Sequence, residues 1–118
     1  MGERREPRPE YILCAAIWVD TGEAEPARAS YAYPETGLVF AGWRHGDCFT
    51  TLIAWAELLS PEERERIGEE QLHGRHQGFL TSAGRYVDRT EAAVIAKASG
   101  QPLLRSPGVD FLTSEDVW

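Results

Sequence analysis

Apolar residues crowd into a nearly unbroken run from Tyr11 to Val19, closed by the turn signal Asp20-Thr21-Gly22-Glu23. β-Branched and aromatic members in so short a run predict a central strand entering a hairpin. Residues 24–34 are irregular, although Tyr31 and Tyr33 alternate as a second strand would. Gly37-Leu38-Val39-Phe40-Ala41-Gly42 predicts a short buried strand bounded by glycines. The period then changes. Phe49, Leu52, Ile53, Ala56 and Leu59 recur at helical spacing, which predicts a helix from Cys48 to about Leu59 capped by Asp47.

Ser60-Pro61-Glu62-Glu63 is a capping box with proline at the first helical position, so a second, mostly polar helix starts at once, with Gly68 inside it. Gln77–Thr81 predicts a further strand, and Tyr86-Val87 an extended piece. Asp88 and Glu91 form a second capping box, opening a helix to about Ser99 that Gly100 terminates. Pro102–Phe111 reads as a loop. Strands first and helices interleaved later predict an α+β fold: a single small domain with an antiparallel sheet packed against two or three helices. Residues 1–10 are charged and proline-bearing and predict a flexible arm before the ligand-binding domain at 11–118.

The chain of 118 residues carries a net charge of −7, which argues against binding polymeric nucleic acid through a broad basic face. No apolar run reaches the ~18 residues that a membrane span needs. The charged start lacks the apolar centre of a signal peptide, which predicts a cytoplasmic location. Cys14 and Cys48 lie in apolar sequence and predict reduced core thiols. Eleven of the twelve Lys and Arg residues are Arg, the side chain whose planar fork matches phosphate oxygens.

Candidate chemistry concentrates between Gln77 and Glu91. Two readings stand for this stretch. In one, Phe79 and Tyr86 face a base, Arg85 and Arg89 hold phosphates, and Asp88 or Ser82 meets a ribose hydroxyl or base edge. In the other, the aromatics are core, Asp88 is a helix cap and the arginines are solvated. Arg44-His45, beside the predicted helix start, is a second candidate anion site, because helix N-termini favour anions. The competing account is a turn in which Arg44 pairs with an acid. A zinc reading from His45 with Cys48 and His73 with His76 competes too, but two short pairs arise easily by chance, and no metal or cofactor is expected. No serine–histidine–acid set or glycine-rich phosphate loop occurs, so no catalytic residue and no enzyme activity are expected; a small nucleotide-processing hydrolase is the alternative.

Gln77–Glu91 resembles a segment of small phage proteins of the Thoeris anti-defence sponge family. The resemblance extends to Cys14-Ala15-Ala16-Ile17-Trp18 and to Gly42-Trp43-Arg44-His45-Gly46-Asp47-Cys48-Phe49. It continues through Glu91-Ala92-Ala93, Ile95-Ala96, Gly100-Gln101 and the tail Ser114-Glu115-Asp116-Val117-Trp118. It implies a non-enzymatic protein that sequesters a cyclic ADP-ribose isomer made by a TIR-domain enzyme, in the cytoplasm of an infected bacterium. Some relatives also take cyclic oligonucleotides, which extends the implied role to CBASS-type signalling. The resemblance further implies a homo-oligomer, a dimer or higher up to a hexamer. The expected pocket uses Phe79, Ser82, Arg85, Tyr86, Asp88 and Arg89, with Arg44, His45 and Arg105 from elsewhere in the chain or a neighbouring subunit.

Overall fold

The computed structural model describes residues 9–23, 36–101 and 112–113. Within these residues four strands, β1 (Ile12–Val19), β2 (Leu38–Gly42), β3 (His76–Thr81) and β4 (Tyr86–Asp88), form a sheet in the order β2-β1-β3-β4. All three pairings are antiparallel. The longest and most apolar strand takes an inner position, where both edges find partners. Among the described residues four helices accompany the sheet: α1 (His45–Ala56), α2 (Pro61–Ile67), α3 (Glu69–Leu72) and α4 (Arg89–Ala98). The architecture is α+β, with one helix more than the two or three expected. The extra helix, α3, is a single turn.

Register decides which side chains meet. Ile17 lies opposite Phe40 on β2 and Gln77 on β3, while Ala15 lies opposite Phe79, which in turn faces Val87 of β4. Directly opposed residues share a face, so Ala15, Ile17, Phe40, Phe79 and Val87 form one apolar layer, joined by Val19. α1 covers it with Cys48, Leu52 and Ala56, and α4 with Ala92, Ala93, Ile95 and Ala96. The alanines at Ala15, Ala92, Ala93 and Ala96 let α4 approach the sheet closely. A bulge between Ile12 and Cys14 turns Leu13 outward, where it is 47% exposed.

Three local expectations change. α1 starts at His45 rather than Cys48, because Arg44 is its N-cap and Asp47, three residues on, reaches back to accept from the Arg44 N–H at 3.1 Å. The earlier start fixes the buried stripe as His45, Cys48, Leu52 and Ala56, leaving Ile53 54% exposed. Gly68 ends α2 instead of lying inside it. Its φ of 96° is open to glycine at little cost, and its N–H bonds the Arg64 carbonyl at 2.9 Å. The Ser60 capping box forms as the sequence predicts, with Glu63 N–H donating to Ser60 Oγ at 3.2 Å. Of the box expected at Asp88 only one half forms: Asp88 Oδ1 accepts from the Glu91 N–H at 2.8 Å, while the Glu91 carboxylate lies 3.6 Å from Arg85. The possible strand at Tyr31 and Tyr33, the Pro102–Phe111 loop and the tail from Ser114 lie outside the described residues.

Glu10, at the end of the segment expected to be loose, straps the start of β1 to the β3–β4 turn. Its two oxygens accept from Arg85 Nε and Nη2 at 2.8 Å each, and Thr81 Oγ1 donates to it as well. The Arg85 hydrogen bonds, with help from Thr81, hold the Glu10 carboxyl down at about 2, against an ordinary 4.5.

A carboxyl lowered in the folded state adds stability that is complete above its unfolded value and fades as pH falls toward the folded one. The strap is therefore predicted to weaken between about pH 4.5 and 2. Glu10→Gln should cost about 1 kcal/mol at pH 7, less than a buried charge-assisted hydrogen bond because both side chains are partly solvated. Denaturant titrations of both proteins at pH 7 and pH 3 check this; the gap between them should narrow at pH 3. Phe79→Ala should cost about 3–5 kcal/mol, as removal of a buried aromatic does.

Candidate anion-binding cleft

Gln77 is a polar residue at an inward strand position. It shares the helix-covered face with Phe79 and lies where that face emerges at the start of β3. Arg89, the first residue of α4, donates from Nη2 to Gln77 Oε1 at 2.6 Å. The first residue of α1 arrives at the same place. His45 is buried, its ring stands edge-on to Phe79 with centroids 5.1 Å apart, and its Nε2 lies 2.8 Å from the Gly78 carbonyl oxygen. A carbonyl can accept but not donate, so Nε2 carries the proton.

That contact brings two helix beginnings to one spot. Between them opens a cavity of about 540 Å³ lined by Arg44, His45, Gly46, Asp47, Gln77, Arg89 and Thr113. A side chain at Gly46 would meet nothing within 4 Å, so the α1 backbone is open to close approach there. Two guanidinium groups and the positive ends of two helices converge, an arrangement that favours an anion. The Asp47 carboxylate opposes it, but one of its oxygens is engaged by the Arg44 N–H.

A second cavity, of about 340 Å³, shares Gln77 and Arg89 with the first and adds Arg75, His76, Tyr86, Asp88 and Thr90. The His76 and Tyr86 rings belong to the sheet face away from α1 and α4, where Trp18 stacks on His76 with centroids 4.6 Å apart and lies 6.1 Å from Tyr86. Tyr86 Oη donates to the His76 carbonyl at 3.0 Å, and the ring lies across Gly78. A Cβ at Gly78 would stand 2.1 Å from the Val87 carbonyl oxygen and 2.8 Å from Tyr86 Oη, so glycine is required. Burial, followed by the charge of Asp88, pushes the Tyr86 phenol up to about 12.

The protonation of His76 is fixed by its neighbour. Gln71 Oε1 accepts from the Asp20 N–H at 2.9 Å, so the Gln71 amide nitrogen must donate to His76 Nε2, 3.3 Å away. The proton of neutral His76 therefore sits on Nδ1. Burial and, after it, the Arg75 charge lower the His76 pKa, while Asp20 pulls the other way.

Arg44, His45 and Arg89 line the first cavity, and Tyr86, Asp88 and Arg89 the second. Phe79 is 0% exposed and presents no face to a ligand; it supports His45 from below. Ser82 and Arg85 lie at the turn end of the β3–β4 hairpin and line neither cavity. Ser82 Oγ accepts from the Tyr11 N–H at 3.0 Å, and Arg85 is paired with Glu10 at 2.8 Å and Glu91 at 3.6 Å. Arg105 lies outside the described residues.

Gln77, Arg75, His76, Thr90 and Thr113 were not foreseen as site residues. A signal existed for Gln77: an amide alternating with Phe79 on the inward face of a strand needs a polar partner. Both cysteines are free thiols, and burial, with Cys14 and Asp47 adding to it, pushes Cys48 up to about 12. Among the described residues, no three His, Cys, Asp or Glu side chains gather to hold a metal ion, and no helix is long and apolar enough to cross a membrane.

No curated protein and no solved structure matches the chain. A family model does, covering residues 11–118 and so every element of the fold. The chain belongs to the phage family described as Phage T4 y16D protein.

Proposed function

We propose that this phage-family protein binds and sequesters a small phosphate-bearing nucleotide signal, of the cyclic ADP-ribose class implied by the sequence resemblance, without chemical turnover. One observation carries the reading: Arg44 and Arg89 converge with the beginnings of α1 and α4 on a cavity of about 540 Å³. Its volume suits a small ligand, for which sites of roughly 300–1,000 Å³ are usual. The acids at the cleft are engaged in capping: Asp47 accepts from Arg44 and Asp88 from Glu91. Among the described residues neither is paired with a nucleophile, which favours holding a ligand over cleaving it. Such a sponge acts in the host cytoplasm, as a homo-oligomer.

Incubating the protein with cyclic ADP-ribose isomers, removing free ligand and then heating should release the captured isomer intact. Release of an altered product supports the hydrolase alternative, and failure to capture any isomer contradicts the proposal. Arg44→Gln and Arg89→Gln should each weaken binding about 10–100-fold, the effect of losing one charge-assisted hydrogen bond of about 1.5–3 kcal/mol. Calorimetry on the folded variants checks this.

His76 gives the protein a mild acid sensitivity. A histidine lowered in the folded state adds stability that is complete above its unfolded pKa and is lost as pH falls toward the folded one. Melting temperature is therefore predicted to fall as pH drops below about 6.5, the ordinary histidine value. His76→Gln should remove that part of the fall, measured by scanning melts from pH 7.5 to 5.

A further inference from the structure

Three separate pieces of chain close a circuit of contacts at the end of β1. The Trp18 indole stacks on His76, centroids 4.6 Å apart, and its Nε1 donates to the Thr36 carbonyl at 2.8 Å. Thr36 Oγ1 donates to Asp20 Oδ1 at 2.7 Å, and the Asp20 N–H donates to Gln71 Oε1 at 2.9 Å. Gln71 Nε2 then returns to His76 Nε2, 3.3 Å away. Gln71 decides whether the circuit closes, because an amide accepts at one end and donates at the other. With Oε1 facing a backbone N–H, only Nε2 is left for the imidazole. The circuit therefore needs a His76 Nε2 without a proton.

A second proton on His76 leaves the amide no orientation that serves both neighbours. Held as it is, Gln71 Nε2 meets an imidazolium N–H, donor against donor. Turned over, it accepts from His76 but sets its NH2 against the Asp20 N–H. The charge-assisted bond to the imidazolium is the stronger of the two, so the amide turns. We infer that Gln71 is a proton-sensitive clasp: at neutral pH it ties α3 to the end of β1, and in acid it turns to His76 and releases Asp20. The clasp does not depend on the ligand proposed above.

The charges around His76 set where it opens. Burial resists the second proton most, Arg75 adds to that resistance, and Asp20 attracts the proton from the end of β1. Arg75 is itself paired with Glu70 at 2.8 Å, and Glu69 and His73 are exposed at α3. Tyr86, Asp88 and Arg89 share the second cavity with His76 from the β4 side. Resistance prevails, so the clasp opens below the ordinary histidine value of 6.5. The Asp20 carboxyl, lowered from 3.8 by its bonds from Thr36 and Gly22, stays ionised throughout.

Heteronuclear NMR from pH 8 to 5, reading the His76 ring nitrogens and the Asp20 backbone amide, tests the clasp. In wild-type protein His76 should carry its proton on Nδ1 above pH 7. The Asp20 amide proton should move upfield in acid, as a lost hydrogen bond requires, with the midpoint of His76. Gln71→Glu replaces the donor end with a second acceptor, which serves the Asp20 N–H and a His76 Nε2–H together. That variant should hold neutral His76 as the Nε2–H tautomer and bind its second proton at least about tenfold more tightly. Its Asp20 amide should stay downfield through the titration. A wild-type His76 with its proton on Nε2, or an Asp20 amide that does not move upfield at the His76 midpoint, overturns the clasp even if Gln71→Glu does not fold. A folded Gln71→Glu protein with the wild-type midpoint overturns it too.

Discussion

A buried hydrogen bond between His45 and the Gly78 carbonyl, 2.8 Å long, fixes the geometry on which the cleft depends. Neither group can be left without a partner inside the fold, since an unmatched buried donor or acceptor costs about 1–3 kcal/mol. The bond therefore sets where α1 begins relative to β3. Phe79, fully buried beneath the imidazole, holds the ring at the angle the bond requires. Arg44 then projects from just outside α1, next to Gln77 and the first residue of α4. Two helices that pack on different parts of the sheet thus deliver their positive ends to one opening.

The electrostatics follow from local placement, not from the balance of the whole chain. A net charge of −7 would repel an anion at long range. Screening confines that repulsion to about 10 Å at ordinary salt, while the guanidinium groups and helix ends act at contact. Arginines elsewhere do structural work. Arg85 is committed to Glu10, Arg66 to the Thr21 carbonyl at 3.0 Å, and Arg64 to the Ala56 carbonyl at 2.7 Å. Composition alone does not say which arginines the fold commits to internal bonds.

Much of the fold could be read from the chain. Apolar runs gave β1, β2 and β3 to within a residue or so, because each strand sends its inward residues into one apolar layer. The caps at Ser60 and Asp88 were legible because each depends on residues three apart. What escaped depends on distant partners. Arg85 is committed by Glu10, 75 residues earlier, a partner that no local pattern announces. Phe79 looked like a stacking face because an aromatic on a strand can point either way; its register opposite Ala15 turned it inward. α1 began early because Asp47 serves as the third helical residue instead of the cap, a choice that the short span Arg44–Cys48 does not dictate.

An anion is expected to enter where α1 and α4 begin. Amide chemical shifts recorded by NMR during titration with a cyclic ADP-ribose isomer test it most directly. Saturable shifts are expected at His45, Gly46, Gln77 and Arg89, with the turn from Ser82 to Arg85 little affected. Shifts centred on that turn, or none that saturate, would contradict it.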